Sequence, residues 1–266
     1  MLRGSLTAAV GGEKSVSPAD TRSSRAYLNT CVVLREIAER ELKQGAGVMF
    51  PWVRYPVMGL YKLFYNFHIE GTENIPHDKP IILASNHRSY ADPVILTMPM
   101  KLPVSYMAKE ELFRNKLFGW FIRKLGAFPV KRGAGDMSVI DDSIAVLNSG
   151  RHLVIFPEGT RSKDGKVGKG KSGVALIAAK SGADVVPCGI CFEGEKLHFR
   201  SKLTLKFGKV IKTEELHIEG SSPKELKAVK QRIMGAITEL VEGTPAALPE
   251  PAKAAALEDK HDENAD

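Results

Sequence analysis

Cysteine is scarce in this sequence. The three present, Cys31, Cys188 and Cys191, are odd in number and lack the paired spacing of a zinc site. That argues against a disulfide framework, and a reducing compartment is the simplest fit. Long apolar runs are also missing: none reaches the roughly 18 residues of an uninterrupted membrane span. The nearest candidate, Val48 to Phe67, is interrupted by Pro51, Arg54, Pro56, Lys62 and Asn66. Its mixture of aromatic and basic residues suits a segment lying in a membrane interface, or one packed on the protein's own core, better than a crossing one. Acidic residues are outnumbered, leaving a formal charge of +7 and a pI near 9.2. Such a surplus favours anionic partners: nucleic acid, phosphorylated metabolites or acidic lipid. No recognised module sets basic and aromatic side chains on a common face, so nucleic acid has only charge in its favour and is set aside.

What remains is enough for a globular enzyme-sized domain. At 266 residues, 43% hydrophobic and 26% charged, the chain fits one large domain with appendages. Residues 1–47 read as an extension, aperiodic and disordered to about Arg25 and then compatible with one helix ending at Gly45-Ala46-Gly47. Residues 48–66 form the amphipathic segment, one or two short helices broken at Pro51 and Pro56. From 67 to 243 apolar runs alternate between strand and helix patterns. Strands are expected at Phe67–Gly71, Pro80–Ser85, Val104–Ala108, Gly126–Val130, His152–Phe156 and Val185–Ile190. Helices are expected from Val94, from about Lys109 to Lys124, around Met137–Leu147 and at Gly173–Ser181. Ser222-Pro223-Lys224-Glu225 is a capping box opening a last helix. Beyond Gly243 the Pro, Ala and acid content reads as a disordered tail, 244–266. The expected fold is α/β: a mainly parallel sheet covered by helices on both faces, with an N-terminal amphipathic helical segment.

One stretch invites a chemical reading. Asn86-His87-Arg88-Ser89-Tyr90-Ala91-Asp92-Pro93 lies between a buried strand and a helix, where open α/β sheets place their ligand crevices. Asp92 with Pro93 makes a good helix start, Asp as N-cap and Pro at the first helical position. A neutral His87 can take a proton from a hydroxyl if Asp92 folds back to hold its other nitrogen. On spacing alone the plainer reading, a helix cap beside a solvated histidine, is the better one, because such spacings arise often by chance.

Other stretches shift that balance. Phe156-Pro157-Glu158-Gly159-Thr160-Arg161-Ser162 follows another buried strand, offering a glycine for close approach and a planar guanidinium suited to phosphate. Lys163, Lys166, Lys169 and Lys171 add charge behind it. Lys131-Arg132 ends a third strand. Val186-Pro187-Cys188-Gly189-Ile190 carries a proline, which suggests an edge or a bulge near a site. Several basic loops meeting at one sheet edge beside a His–Asp pair would make an anion pocket with a base in it. The helix at Lys109–Lys124 has an apolar stripe, Phe113, Leu117, Trp120 and Phe121, rimmed by Arg114, Lys116, Arg123 and Lys124; such a helix usually packs on the sheet, yet its rim also suits anionic lipid.

In these four stretches, taken in order over about residues 67 to 210, the sequence resembles the glycerolipid acyltransferases typified by 1-acylglycerol-3-phosphate O-acyltransferase. The resemblance implies transfer of an acyl chain from a thioester to the free hydroxyl of lysophosphatidic acid, giving phosphatidic acid. His87 would be the general base and Asp92 its orienter. Arg132 and the run Glu158, Gly159, Thr160 and Arg161 would hold the acceptor's phosphate, with Glu158 positioning Arg161 or the loop backbone because a carboxylate repels phosphate. No metal and no cofactor is implied; the donor is acyl-CoA or an acyl carrier protein thioester. The same motifs serve other acceptors, glycerol 3-phosphate or another lysophospholipid, and a non-catalytic lipid-binding protein on this fold is a further alternative. A long-chain acceptor implies a peripheral protein on an anionic membrane surface, expected on the cytoplasmic face.

Overall fold

The computed structural model describes residues 51–130, 137–216 and 222–243, and side chains from Tyr55 onward. The expectations for residues 1–50, including the helix after Arg25, for Lys131 and Arg132, and for the tail after Gly243 lie outside the described residues.

Seven strands form one sheet: β1 (Asn66–Glu70), β2 (Ile82–Ser85), β3 (Val104–Lys109), β4 (Ala127–Val130), β5 (His152–Ile155), β6 (Val185–Phe192) and β7 (Lys202–Phe207). Their order across the sheet is β1-β7-β6-β2-β5-β3-β4. All neighbours are parallel except β6 and β7, so β1 and β7 run against the other five. The mainly parallel α/β sheet is therefore present. β7, whose Leu203, Leu205 and Phe207 alternate with polar residues and are buried, is a strand beyond those expected. It follows β6 without a helix between, which a parallel step would need and an antiparallel one does not.

Successive positions of β2, β3, β5 and β6 feed opposite cores, while β1 and β7 supply apolar side chains to one only. Leu83, Tyr106, Val154, Val186 and Leu203 belong to one apolar cluster, Ile82, Ala84, Leu153, Ile155 and Val185 to the other. The first is covered by α1 (Pro51–Phe64), α2 (Asp92–Thr97) and α3 (Lys116–Lys124), through residues such as Met58, Ile95 and Ile122. The second is covered by α4 (Met137–Asn148), α5 (Gly173–Ser181) and α6 (Pro223–Glu242), through Leu147, Ile177 and Ile233. Near-continuous burial of β2 and β5 follows from this double cover. α6 opens on the expected capping box: the Ser222 hydroxyl accepts from the Glu225 N–H, and the Glu225 carboxylate from the Ser222 N–H.

Four local expectations are corrected. The amphipathic segment is one helix, with Pro56 inside α1 and costing it one backbone bond. The helix expected from Lys109 is a 3₁₀ turn (Glu110–Phe113) followed by α3, capped by the Asn115 side chain accepting from Phe118 N–H. Of its apolar stripe, Phe113 falls in the 3₁₀ turn and packs on the core, whereas Leu117, Trp120 and Phe121 are 77%, 58% and 51% exposed, and Gly119 and Ile122 make the inner side. Finally, Pro187 lies in a strand flanked on both sides, not at an edge. Its carbonyl accepts from Gly208 on the β7 side, and the β7 ladder begins one residue later at Cys188. The missing donor thus falls just outside that ladder.

No helix among the described residues is long and apolar enough to cross a membrane.

Candidate active site

β2 ends at Ser85, and the chain then leaves the sheet through a turn tightened around one buried carboxylate. Asp92 is the first residue of α2; the cap position is Ala91, which supplies no side-chain cap. Asp92 reads in the sequence both as a helix cap and as a partner of His87; its carboxylate makes no cap and turns back into the preceding loop. Its Oδ2 accepts from the Arg88 N–H (2.6 Å), the Ser89 N–H (2.7 Å) and the His87 ring at Nδ1 (2.8 Å). The Asp92 side chain is fully buried, while that of His87 is 16% exposed. The compact turn that a five-residue spacing requires is thus built by the aspartate itself.

This geometry settles the use of the two ring nitrogens. With Nδ1–H donated to Asp92, a neutral His87 presents its lone pair at Nε2, which makes no hydrogen bond among the described residues. The ring lies flat on Phe156, with centroids 4.0 Å apart and planes 19° from parallel. Phe156 follows β5, next to β2 in the sheet, so packing and the carboxylate together leave the imidazole little freedom.

The loop after β5 is joined to this turn at three points. Glu158 accepts from the His87 N–H with Oε1 and from the Gly168 N–H with Oε2, both at 3.0 Å. Burial raises its carboxyl above the ordinary range, and those two backbone donors pull in the opposite direction. Both oxygens are thus committed to loop backbone. Of the two tasks expected of Glu158, the second, holding the backbone, is what its contacts show; Arg161 is not among them. The His87 carbonyl accepts from the Ser162 N–H at 2.7 Å. Arg161 reaches across to Tyr90, donating to its hydroxyl at 2.9 Å with the guanidinium carbon 3.7 Å from the ring centre.

Gly159 has φ +72°, a left-handed conformation that glycine adopts without strain, and the Lys171 side chain passes 3.0 Å from where a Cβ would stand. Thr160 is exposed beside it. The structure therefore brings His87, Asp92, Glu158, Gly159, Thr160 and Arg161 to one edge, the carboxyl ends of β2 and β5. Arg132 lies outside the described residues, although β4, which leads to it, ends at the same edge.

Sequence reasoning named other residues here without giving them a role at the site. Asn86 extends the β2–β6 ladder with its side chain, accepting from the Ile190 N–H (2.8 Å) and donating to the Ile190 carbonyl (3.0 Å). Arg88 stacks on Phe192, with its guanidinium carbon 3.6 Å from the ring centre, and donates to the carbonyls of Phe192 and Gly194, locking the turn to the end of β6. Lys109 closes β3 at this same edge, in register with Val130. Its position after a strand was the available signal, shared with Lys131 and Arg132.

A carboxylate-held imidazole with a bare nitrogen, on a strand-to-helix turn beside a basic loop, defines a class: an α/β enzyme equipped to take a proton from a hydroxyl. Known proteins narrow it. The Acyltransferase family model matches residues 66–191. The 1-acyl-sn-glycerol-3-phosphate acyltransferase of Streptococcus pneumoniae is 33% identical over 76% of this chain and 76% of its own length. A chloroplastic 1-acyl-sn-glycerol-3-phosphate acyltransferase of Arabidopsis thaliana is 33% identical over 55% of this chain, which spans only 42% of that protein. Among solved structures, the 1-acyl-sn-glycerophosphate acyltransferase PlsC of Thermotoga maritima matches with a TM-score of 0.53 and 26% identity over 82% of each chain. The chain belongs to the 1-acylglycerol-3-phosphate O-acyltransferase family and is an O-acyltransferase.

Proposed function

We propose that the enzyme transfers a fatty acyl chain from an acyl thioester to the free hydroxyl of 1-acylglycerol 3-phosphate, giving phosphatidic acid. The observation that carries this reading is the 2.8 Å His87–Asp92 contact, which leaves Nε2 as the accepting nitrogen beside the loop bearing Arg161. Nε2 takes the hydroxyl proton as the oxygen attacks the thioester carbonyl. Asp92 stabilises the imidazolium that forms. Collapse of the tetrahedral intermediate breaks the C–S bond, and the imidazolium returns its proton to the departing thiolate. Acyl-CoA and an acyl carrier protein thioester are equally suited as donors, since the activated bond is the same. The thioester brings its own activation, so the step needs no metal or cofactor.

Arg161, with Gly159 and Thr160 shaping its loop, and Arg132 hold the acceptor's phosphate, and Glu158 keeps that loop against the base. The enzyme reaches its acceptor from an anionic membrane surface as a peripheral protein on the cytoplasmic face. Supporting this, α1 and α3 pack inner residues on the same core cluster while Leu63, Leu117 and Trp120 stay largely exposed. Phe199, 69% exposed, meets Phe64 edge-on beside α1. Replacing Leu63 and Trp120 together by aspartate is expected to weaken binding to anionic vesicles by about tenfold; unchanged binding would remove this face from the reading.

The defining test is acyl transfer from palmitoyl or oleoyl thioesters to lysophosphatidic acid in mixed micelles, both donor types supplied. Phosphatidic acid formation is expected. Transfer only to glycerol 3-phosphate or to another lysophospholipid would keep the chemistry and replace the acceptor.

A further inference from the structure

The turn that carries His87 also carries a ring aimed at the neighbouring loop. Tyr90 lies between His87 and Asp92, and the residue is 77% exposed. Exposed aromatic side chains are ordinarily mobile, but the backbone under this one is closely held. Asp92 accepts from the two N–H groups just before it, those of Arg88 and Ser89. The Ser89 hydroxyl accepts from the Ala91 N–H just after it, at 3.1 Å. The carbonyl of Ser89 accepts from the Asp92 N–H, closing the turn around Tyr90. The ring is therefore presented from a rigid apex, on the same turn that fixes the imidazole.

Arg161 spends one face of its guanidinium on that ring, and one N–H on the Tyr90 hydroxyl. A guanidinium carries five N–H donors in a plane, so this contact leaves most of them for an oxyanion while removing much of the side chain's rotamer freedom. A freely rotating arginine on an exposed loop would have to be ordered by the phosphate itself, at a cost in affinity. We infer that Tyr90 is a positioning residue for the acceptor: it holds Arg161 ready for the phosphate of 1-acylglycerol 3-phosphate, at a distance set by the turn that also sets His87. The inference rests on the reading of Arg161 as a phosphate ligand. It adds a determinant of head-group selectivity that lies between the two residues of the base pair and takes no part in proton transfer.

Steady-state kinetics on the full chain test it, with Tyr90→Ala, Tyr90→Phe, Arg161→Ala and the Tyr90→Ala/Arg161→Ala double variant. Tyr90→Ala is expected to raise KM for lysophosphatidic acid by about five- to tenfold, the scale of one exposed stacking contact and one hydrogen bond. It should leave kcat and KM for the thioester within about twofold, since base catalysis is untouched. Tyr90→Phe, which keeps the stacked face, is expected to restore most of the loss. In the Arg161→Ala background, Tyr90→Ala should add less than about twofold, because the partner through which it acts is gone. A KM unmoved by Tyr90→Ala, or raised equally with and without Arg161, overturns the role of Tyr90 even if Arg161→Ala itself weakens the acceptor. If Arg161→Ala leaves the acceptor KM unchanged, the phosphate reading of Arg161 fails and this inference falls with it. Circular dichroism and the unchanged kcat separate either result from misfolding.

Discussion

Two histidines sit at opposite ends of the parallel strands and meet opposite fates. His87 follows β2 at the carboxyl edge; His152 opens β5 at the amino edge, on the neighbouring strand. At His87 a buried carboxylate takes the Nδ1 proton, leaving Nε2 on a partly open ring. His152 is fully buried, its Nδ1 accepts from the Ile81 N–H at 3.2 Å, and its Nε2 finds no partner among the described residues. Burial first, and the nearby His77 second, push its pKa down to about 4. One imidazole has a buried carboxylate bonded to it. The other could become a cation only by putting an unpaired charge into the core. A histidine's residue type and its burial say little by themselves; the atom bonded to each ring nitrogen decides which histidine can act as a base.

The largest effect should separate the two most sharply. His87→Ala is expected to lower kcat/KM by at least about a hundredfold, and by up to about ten-thousandfold. His152→Leu, measured on folded protein, should stay within about threefold of the parent. If His87→Ala keeps most of its rate, the base is not this imidazole, and the contrast between the two edges loses its chemical meaning.

The second effect belongs to His152 and is one of stability. Its folded pKa of about 4 lies below the ordinary 6.5, so the unfolded chain binds more protons between those values. Stability from this residue is full above about pH 6.5 and is lost as pH falls towards 4. The loss by pH 4.5 is roughly 2–3 kcal/mol. Urea unfolding at pH 7 and pH 4.5 should show that excess loss in the parent relative to His152→Leu. Equal acid sensitivity in both would mean that another group governs it.

The two edges also differ in how far they could be read in advance. At the carboxyl edge, apolar runs ended by Asn86-His87 and by Phe156-Pro157-Glu158 marked strand ends and the loops after them, and the sheet order brings both together. The bond from Asp92 to His87 was legible as a possibility of spacing. That the same carboxylate would leave its helix uncapped was not, because the sequence offers both a cap and a loop partner to this aspartate and only the folded turn shows which it takes. The expected Glu158 left two tasks open, and the geometry of His87 N–H and Gly168 N–H selects the backbone.

Elsewhere periodicity misled for physical reasons. The stripe of α3 correctly groups Leu117, Trp120 and Phe121 on one side, but helical spacing carries no information on whether that side meets the core or the solvent. β7 alternates as a strand should, yet a pattern of strands separated by helices hides a strand that follows another directly. His152 offered no signal at all: a histidine at the head of an apolar run reads the same whether its ring is paired or orphaned.

The smallest effect probes why the carboxyl edge holds its shape. Glu158→Gln keeps the size of the side chain but leaves one oxygen where two backbone N–H groups need acceptors, and sets an amide N–H₂ against the other donor. A conflict of this kind costs about 1–3 kcal/mol when buried, and it falls on the bond to the His87 backbone or on the one to Gly168. A loss of activity of about tenfold is expected, shared between kcat and the acceptor KM, because Glu158 touches the base's turn with one oxygen and the basic loop with the other. A change confined to the acceptor KM would make Glu158 part of the phosphate-holding loop alone. A change confined to stability would mean that the Asp92 bonds suffice to hold the imidazole, and that the order of this edge originates in one carboxylate, not two.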